Sequence, residues 1–473
     1  MAKKRAKTTL MFGEKKDRIS KLPDTLIIRI LSFLSTKDAI STCLVSKRWK
    51  LMWYCVPKLS FSDSNLKVHP KMFYSYVDNY LEHRKEAMYF IPHSPITSFK
   101  LQMNYSYKSI YAGHLDKWLA FIVEKKVKEI DLCVNSTITI NGDIHYYPLP
   151  KTLAVNSRYL TILNLDSVEL DSRYLFSFPS LKTLSLAYVR LGDNGVVDNL
   201  LMGSPSLERL QLHFFCLSSD PQLSINIQHS LSLKFLEIIL SKDLVERIEL
   251  INLESLILVG VSFHKIKLYA CKAIRFLSLT CCWGMEESSS FEYFISSLPL
   301  LENLAFYNGP KPMKLKQVEI SNQHLKQLYV DNPFDDEMSV VIKSTPNLTK
   351  FAYVGGIKFS VSIESSNLLS GVFVIKKQHN YDTNWFINLM KFLMSLKCSW
   401  KCIDIHVESE EDLIFPAMFK RLFRSPLVNS KLVRFFTECK PERESDLKDA
   451  LQWISPTFSV MKSHVSKSVF KFF

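Results

Sequence analysis

Glycine is scarce in this chain, with 12 in 473 residues against a usual share of ~7%. Those few form neither G-x-x-x-x-G-K-[ST] nor G-x-G-x-x-G, so nothing in the sequence supports a backbone cradle for phosphates. The spacings H-E-x-x-H and G-x-S-x-G are missing too. Ten cysteines fall at 43, 55, 133, 216, 271, 281, 282, 398, 402 and 439, and none makes a C-x-x-C pair. Cys398 and Cys402 could share a helix face, but no matching Cys/His pair stands near them, which argues against zinc. The others read as reduced thiols acting as small hydrophobes. The 12 histidines are scattered as surface or core residues. No catalytic residue, no metal and no cofactor is therefore expected. No stretch of 18 uninterrupted apolar residues occurs, which argues against a membrane-spanning helix and a membrane partner. No apolar signal core follows the basic start Met1–Lys7, so a place in the nucleus, the cytoplasm or both is expected.

The formal charge of +14 raises the question of nucleic acid. Residues 1–21 carry a net +6 and residues 431–473 a net +3, leaving +5 for everything between. A DNA or RNA reader concentrates charge on its folded recognition surface, and this chain does not. The first 17 residues read as a solvated basic tail compatible with nuclear import, and nucleic acid is not the expected partner. The dense acidic run Glu408, Glu410, Glu411 and Asp412 reads as a solvated loop.

Residues 22–53 predict three short helices. Pro23 and Asp24 suit a first helical turn, and Leu26, Ile30, Leu31 and Leu34 recur at helical spacing. Ser35 to Asp38 has capping-box spacing, and Ser46 can cap a turn carrying Trp49, Met52 and Trp53. So small a unit cannot bury all this apolar surface by itself. The segment resembles an F-box, with its Leu22-Pro23 opening and its Ser46-x-x-Trp49 close followed by Trp53. That resemblance implies docking onto a Skp-type adaptor and, through it, a cullin-RING ubiquitin ligase. Leu22, Pro23, Leu26, Ile30, Leu31, Leu34, Val45, Trp49 and Trp53 would occupy the motif's contact positions.

Behind this segment the chain repeats L-x-x-L-x-L. Copies begin at 160, 181, 207, 233, 253, 274, 301, 325 and 348, at intervals within or near the 20–29 residues of leucine-rich repeats. Looser copies lie at Ile96–Leu101, Val127–Leu132, Leu369–Val374 and Trp400–Ile405. Each copy is a strand with its leucines inward, and stacking a dozen at ~4.8 Å steps builds a continuous core. Pro179, Pro205, Pro299 and Pro346 end the preceding return segments. Helical returns are expected at Pro70–Met88 and around Leu115–Val123, a further helix at Trp385–Leu396, and a capping element at Asp446–Ile454. The array resembles the leucine-rich repeats of plant F-box proteins. It departs from the common repeat in placing Val168, Val189, Phe215, Val261 and Cys282 where Asn normally stands, so apolar packing must hold those turns.

The expected fold class is thus α/β: a small three-helix F-box followed by a leucine-rich-repeat solenoid, or horseshoe. The expected borders are a tail at 1–17, the F-box at 18–60, the solenoid at 61–405 and a capping region at 406–473, with Ser60–Asn65 as a short connector. The resemblance implies a non-enzymatic substrate receptor whose strands offer outward residues to an unknown target protein. Those residues include Asn164, Asp166 and Gln211, with Arg209, His213, Glu237, Tyr307, Tyr329 and Asp331 as the leading contacts. A leucine-rich-repeat scaffold or inhibitor working outside any ligase is the alternative.

Overall fold

Each regular L-x-x-L-x-L copy becomes a strand that starts two residues after its first leucine or isoleucine, as in Leu181 before strand Thr183–Ala187. Alternation does the work: inward residues are buried, and each fully buried leucine contributes about 1.5–3 kcal/mol. A computed structural model describes residues 21–63, 70–90, 95–105, 112–138, 144–214, 225–228, 230–240, 245–261, 268, 270–280, 288–307, 317–333, 337–364, 369–376, 382–396, 400–428, 430–437 and 440–462. The basic tail and Cys398 lie outside the described residues. Among the described residues, no helix is long and apolar enough to cross a membrane.

The chain divides into two compact units, residues 1–168 and 169–473. The first holds the short helices and four parallel strands in spatial order Lys58–Ser62, Ser98–Tyr105, Glu129–Ile138 and Ile162–Asp166. Their returns are helices Pro70–Phe90, Ala112–Glu124 and Lys151–Asn156, the first two where the periodicity places them. The expected connector at Ser60–Asn65 is corrected, because Lys58–Ser62 is a paired strand. Its Ser60 N–H donates to the buried Thr36 hydroxyl at 2.7 Å, which ties the helices to the sheet.

Among the described residues, the main sheet of the second unit carries twelve parallel strands. They run from Thr183–Ala187 in strict chain order to Phe458–Lys462. In one register line Leu184, Leu210, Leu236, Leu256, Leu277, Leu304, Leu328 and Phe351 stack as a buried spine. Strands Val433–Thr437 and Phe458–Lys462 extend the sheet past 405, so the segment expected only to cap the array continues it. Helices Thr383–Ser395 and Glu444–Ile454 sit where they are expected. The acidic run is corrected as well. Glu410 is 3% exposed, and Ser409 and Asp412 form a capping box around a short 3₁₀ turn. The Asp412 carboxylate accepts the Ser409 N–H at 3.1 Å instead of being solvated, whereas Glu408 is exposed as expected.

Two polar devices hold the repeats in step. The residues just before successive strands are Lys182, Glu208, Lys234, Glu254, Arg275, Glu302 and Lys326, alternating in sign. Ion pairs join Lys182 to Glu208 at 3.2 Å, Lys234 to Glu254 at 3.7 Å, and Glu302 to both Arg275 at 2.6 Å and Lys326 at 2.8 Å. Such exposed pairs are worth ~0–1 kcal/mol apiece and act mainly by fixing which strand follows which. On the return side, Asn252, Asn322 and Asn347 donate side-chain N–H groups to carbonyls of the preceding repeat at Leu231, Leu298 and Gln323. The expected apolar turn residues Val168, Val189 and Val261 are buried, while Phe215 and Cys282 lie outside the described residues.

Scarce glycine leaves non-glycine residues in left-handed turns. Ser167, Tyr188 and Gly260 each follow the end of a strand with φ of 58°, 51° and 70°. Of these three turns, the one at Gly260 has no room for a side chain, since a Cβ would lie 2.1 Å from the Leu240 carbonyl oxygen. Gly260→Ala is expected to destabilise the chain by about 2–4 kcal/mol in urea denaturation, combining left-handed strain with a backbone clash.

Candidate functional site

The short helices are α1 (Asp24–Leu31), α2 (Thr36–Ser41) and α3 (Lys47–Met52), with 3₁₀ turns at Thr42–Leu44 and Trp53–Cys55. Local chemistry sets their ends. Pro23 precedes the first helical residue, Asp24, whose carboxylate faces the positive end of the helix. Ser35 accepts the Asp38 N–H at 3.1 Å and donates its own hydroxyl to the Asp38 carboxylate at 2.7 Å. Ser46 accepts the Trp49 N–H at 3.2 Å. Arg48 closes the group by donating to the Asp24 carboxylate at 2.9 Å and the Leu22 carbonyl at 2.7 Å.

This arrangement sorts the nine candidate contact residues. Leu26, Ile30, Leu34 and Val45 are exposed, as is Pro23, and Leu22 is half-buried. Leu31, Trp49 and Trp53 are buried, and the expectation that they face a partner is corrected. Leu31 and Ile27 form the inward side of α1, while Trp53 stacks on Tyr54 at 3.8 Å and meets Tyr80 at 5.0 Å. Two residues were missed: Phe33 is 79% exposed and Leu44 is 93% exposed. Phe33 follows Leu26 and Ile30 at i+7 and i+3, a readable spacing. Leu44 sits in a 3₁₀ turn that periodicity assigns to the second helix. Six exposed apolar side chains on one small helical group make an apolar surface patch.

The outward face of the second unit is the other candidate. The Arg209 guanidinium lies 3.7 Å from the Phe235 ring centroid, and Gln211 donates to Glu237 at 2.6 Å. His213 approaches the same carboxylate at 3.7 Å, so His213 and Glu237 meet across adjacent strands, while Arg209 packs on Phe235. Tyr307, Tyr329 and Asp331 form a second group, the rings 5.0 Å apart and Lys376 3.4 Å from Asp331. Burial pushes the Asp331 carboxyl up and Lys376 opposes this; burial also raises the Tyr307 and Tyr329 hydroxyls. Between the groups lie strands Ser255–Val259 and Phe276–Thr280, whose outward side chains include Ile257 and Val259. Tyr329 is only 3% exposed, packed with Ala305, Ala352 and Val354, so its place as a direct contact is corrected. Asn164 and Asp166 are half-buried on the first unit's sheet.

The thiols of Cys133 and Cys402 are pushed up to about 11, chiefly by burial, which keeps them protonated and weakly nucleophilic at neutral pH. Among the described residues, no group of three or more His, Cys, Asp or Glu is placed to hold a metal. His406 stacks on Phe436 at 4.2 Å, and burial lowers its pKa from 6.5. Below that value the unfolded chain takes up a proton that the folded site resists, so stability declines as pH falls. Melting curves between about pH 7.5 and about pH 5.5 are expected to show this decline, and His406→Phe to reduce it.

Two stretches of the chain match known families. Residues 19–58 match the F-box domain, and residues 115–278 match the LRR repeats of FBD-associated F-box protein At5g56370. Among Arabidopsis thaliana relatives, the probable FBD-associated F-box protein At1g32375 is 33% identical over 41% of this chain and 43% of its own length. The F-box/FBD/LRR-repeat protein At1g78750 is 31% identical over 44% of this chain and 46% of its own. The putative FBD-associated F-box protein At5g50270 is 34% identical over 41% and 45%. The chain spans about half the length of the curated relatives it matches.

Proposed function

We propose, from the premise that this chain is a homologue of plant F-box/leucine-rich-repeat proteins, that it is a substrate-receptor subunit of an SCF-type cullin-RING ubiquitin ligase. F-box domains bind Skp-type adaptors, and F-box/LRR proteins are typically adaptors without catalysis of their own. In this reading a three-helix F-box holds the adaptor and a solenoid of repeats holds a target protein. Ubiquitin transfer is performed by other subunits, and this chain raises the target's effective concentration near them. Its place is the nucleus, the cytoplasm or both.

One observation carries the reading. Leu26, Ile30, Phe33, Leu34, Leu44 and Val45 stay exposed although Ile27, Leu31, Trp49 and Trp53 already fill the interior. A helical group with its own core and a second apolar face has a surface to spare for a partner. The test is capture of a purified Skp-type adaptor by the full chain, with expected loss after Leu26→Asp and Ile30→Asp together. Undiminished capture by that variant overturns the assigned surface. Absence of capture by the unmodified chain favours the scaffold or inhibitor alternative.

A further inference from the structure

The outward face of a repeat sheet is open to water, yet in the second unit part of it is apolar. Ala305, Tyr329, Ala352 and Val354 are buried there, with Tyr307, Val372 and Val374 half-buried against them. Register places Ala305, Tyr329, Ala352 and Val372 side by side on four adjacent strands, and the next two residues in that line are Asp404 and Arg434. The apolar strip therefore ends at an ion pair, in which Arg434 grips Asp404 through two bonds of 2.7 and 2.6 Å.

At that end the face opens into a cavity of about 190 Å³. At ~30 Å³ per water this holds about six waters, or one aromatic side chain. Ala352 and Val372 give it an apolar floor, and Gln327 and Ser370 offer hydrogen-bonding groups suited to a peptide backbone. Its charged groups are Lys350, Arg434 and Asp404, a net of +1.

We propose that this cavity is the anchor pocket of the target-binding face, taking one large aromatic side chain from an acidic segment of the target protein. The inference rests on the receptor reading above and names the partner's chemistry within it. Apolar floor and aromatic anchor supply the burial, as at the centres of many interfaces. The net positive charge selects carboxylates beside the anchor. The strip beyond the pocket crosses two further strands, those of Tyr329 and Ala305, ~10 Å at ~4.8 Å each, so the occupant is a chain rather than an isolated small molecule.

The test uses the full chain and three fluorescein-labelled pentapeptides: Glu-Glu-Trp-Glu-Glu, Glu-Glu-Ala-Glu-Glu and Lys-Lys-Trp-Lys-Lys. Fluorescence anisotropy is expected to show the first binding at least tenfold more tightly than the other two. Ala352→Trp, which fills the pocket, is expected to lower that affinity at least tenfold. Lys350→Glu, a change at the rim, is expected to shift the preference toward the basic peptide and keeps the test decisive if Ala352→Trp fails to fold. Equal binding of all three peptides, or a preference unchanged in Lys350→Glu, overturns the proposal. Adaptor capture is measured alongside. Peptide selectivity lost while capture persists sinks the pocket alone, whereas capture lost while selectivity persists sinks the ligase reading.

Discussion

Phe33→Glu and Leu44→Glu together are expected to weaken adaptor capture by at least about 100-fold without shifting the melting temperature. Both residues are exposed in the chain alone, at 79% and 93%, so glutamate meets water there and costs the fold nothing. Docking would bury each carboxylate without a partner, and an uncompensated buried charge costs about 3–5 kcal/mol. Each 1.4 kcal/mol is a factor of about ten, so one such charge already exceeds 100-fold. Titration calorimetry against the purified adaptor, with melting curves in parallel, separates the two effects. Intact affinity would mean that the exposed side of this helical group is not the docking side.

Trp53→Ala has the opposite signature. Its ring is buried between Tyr54 and Tyr80, and it joins α3 to the helix Pro70–Phe90 behind it. Truncating a buried aromatic costs about 3–5 kcal/mol, through lost transfer energy and the hole left behind. Denaturation is expected to show that loss, and hydrogen exchange to show it spreading through α1–α3 first. Trp53→Phe is expected to recover much of it, since ring packing and not a contact with a partner is what the position supplies. If Trp53→Ala instead left stability intact and lost only adaptor capture, the tryptophan would be a contact after all.

These two results divide a motif that reads as uniform in sequence. Periodicity identifies Leu26, Ile30, Leu31 and Leu34 as apolar positions on a helix, but not which of them the rest of the chain covers. That depends on how α1 packs against α3 and the turn Trp53–Cys55, which the period of one helix does not reveal. The repeats are legible for a related reason: a period of two within each strand and about 23 between strands is written in leucine alone. The face opposite the leucines is harder to read, because its residues answer to neighbours 20 to 27 positions away. Tyr329 looks outward by alternation and is covered by Ala305, Ala352 and Val354. Asn252, Asn322 and Asn347 bond between repeats from places other than the one where asparagine is customary, so a search at that place alone finds valine.

The alternating charges before the strands govern how the array can change in length. Excising the repeat that begins at Glu208 would bring Lys182 beside Lys234, turning an attraction into a repulsion at the splice. Excising three in a row, those of Glu208, Lys234 and Glu254, would bring Lys182 beside Arg275 with the same result. Removing Glu208 and Lys234 as a couple instead sets Lys182 against Glu254 and keeps opposite signs in contact. Gene-level loss or duplication within this stretch is therefore tolerated best in pairs of repeats, a parity rule imposed by side chains on the surface and invisible in the leucine core.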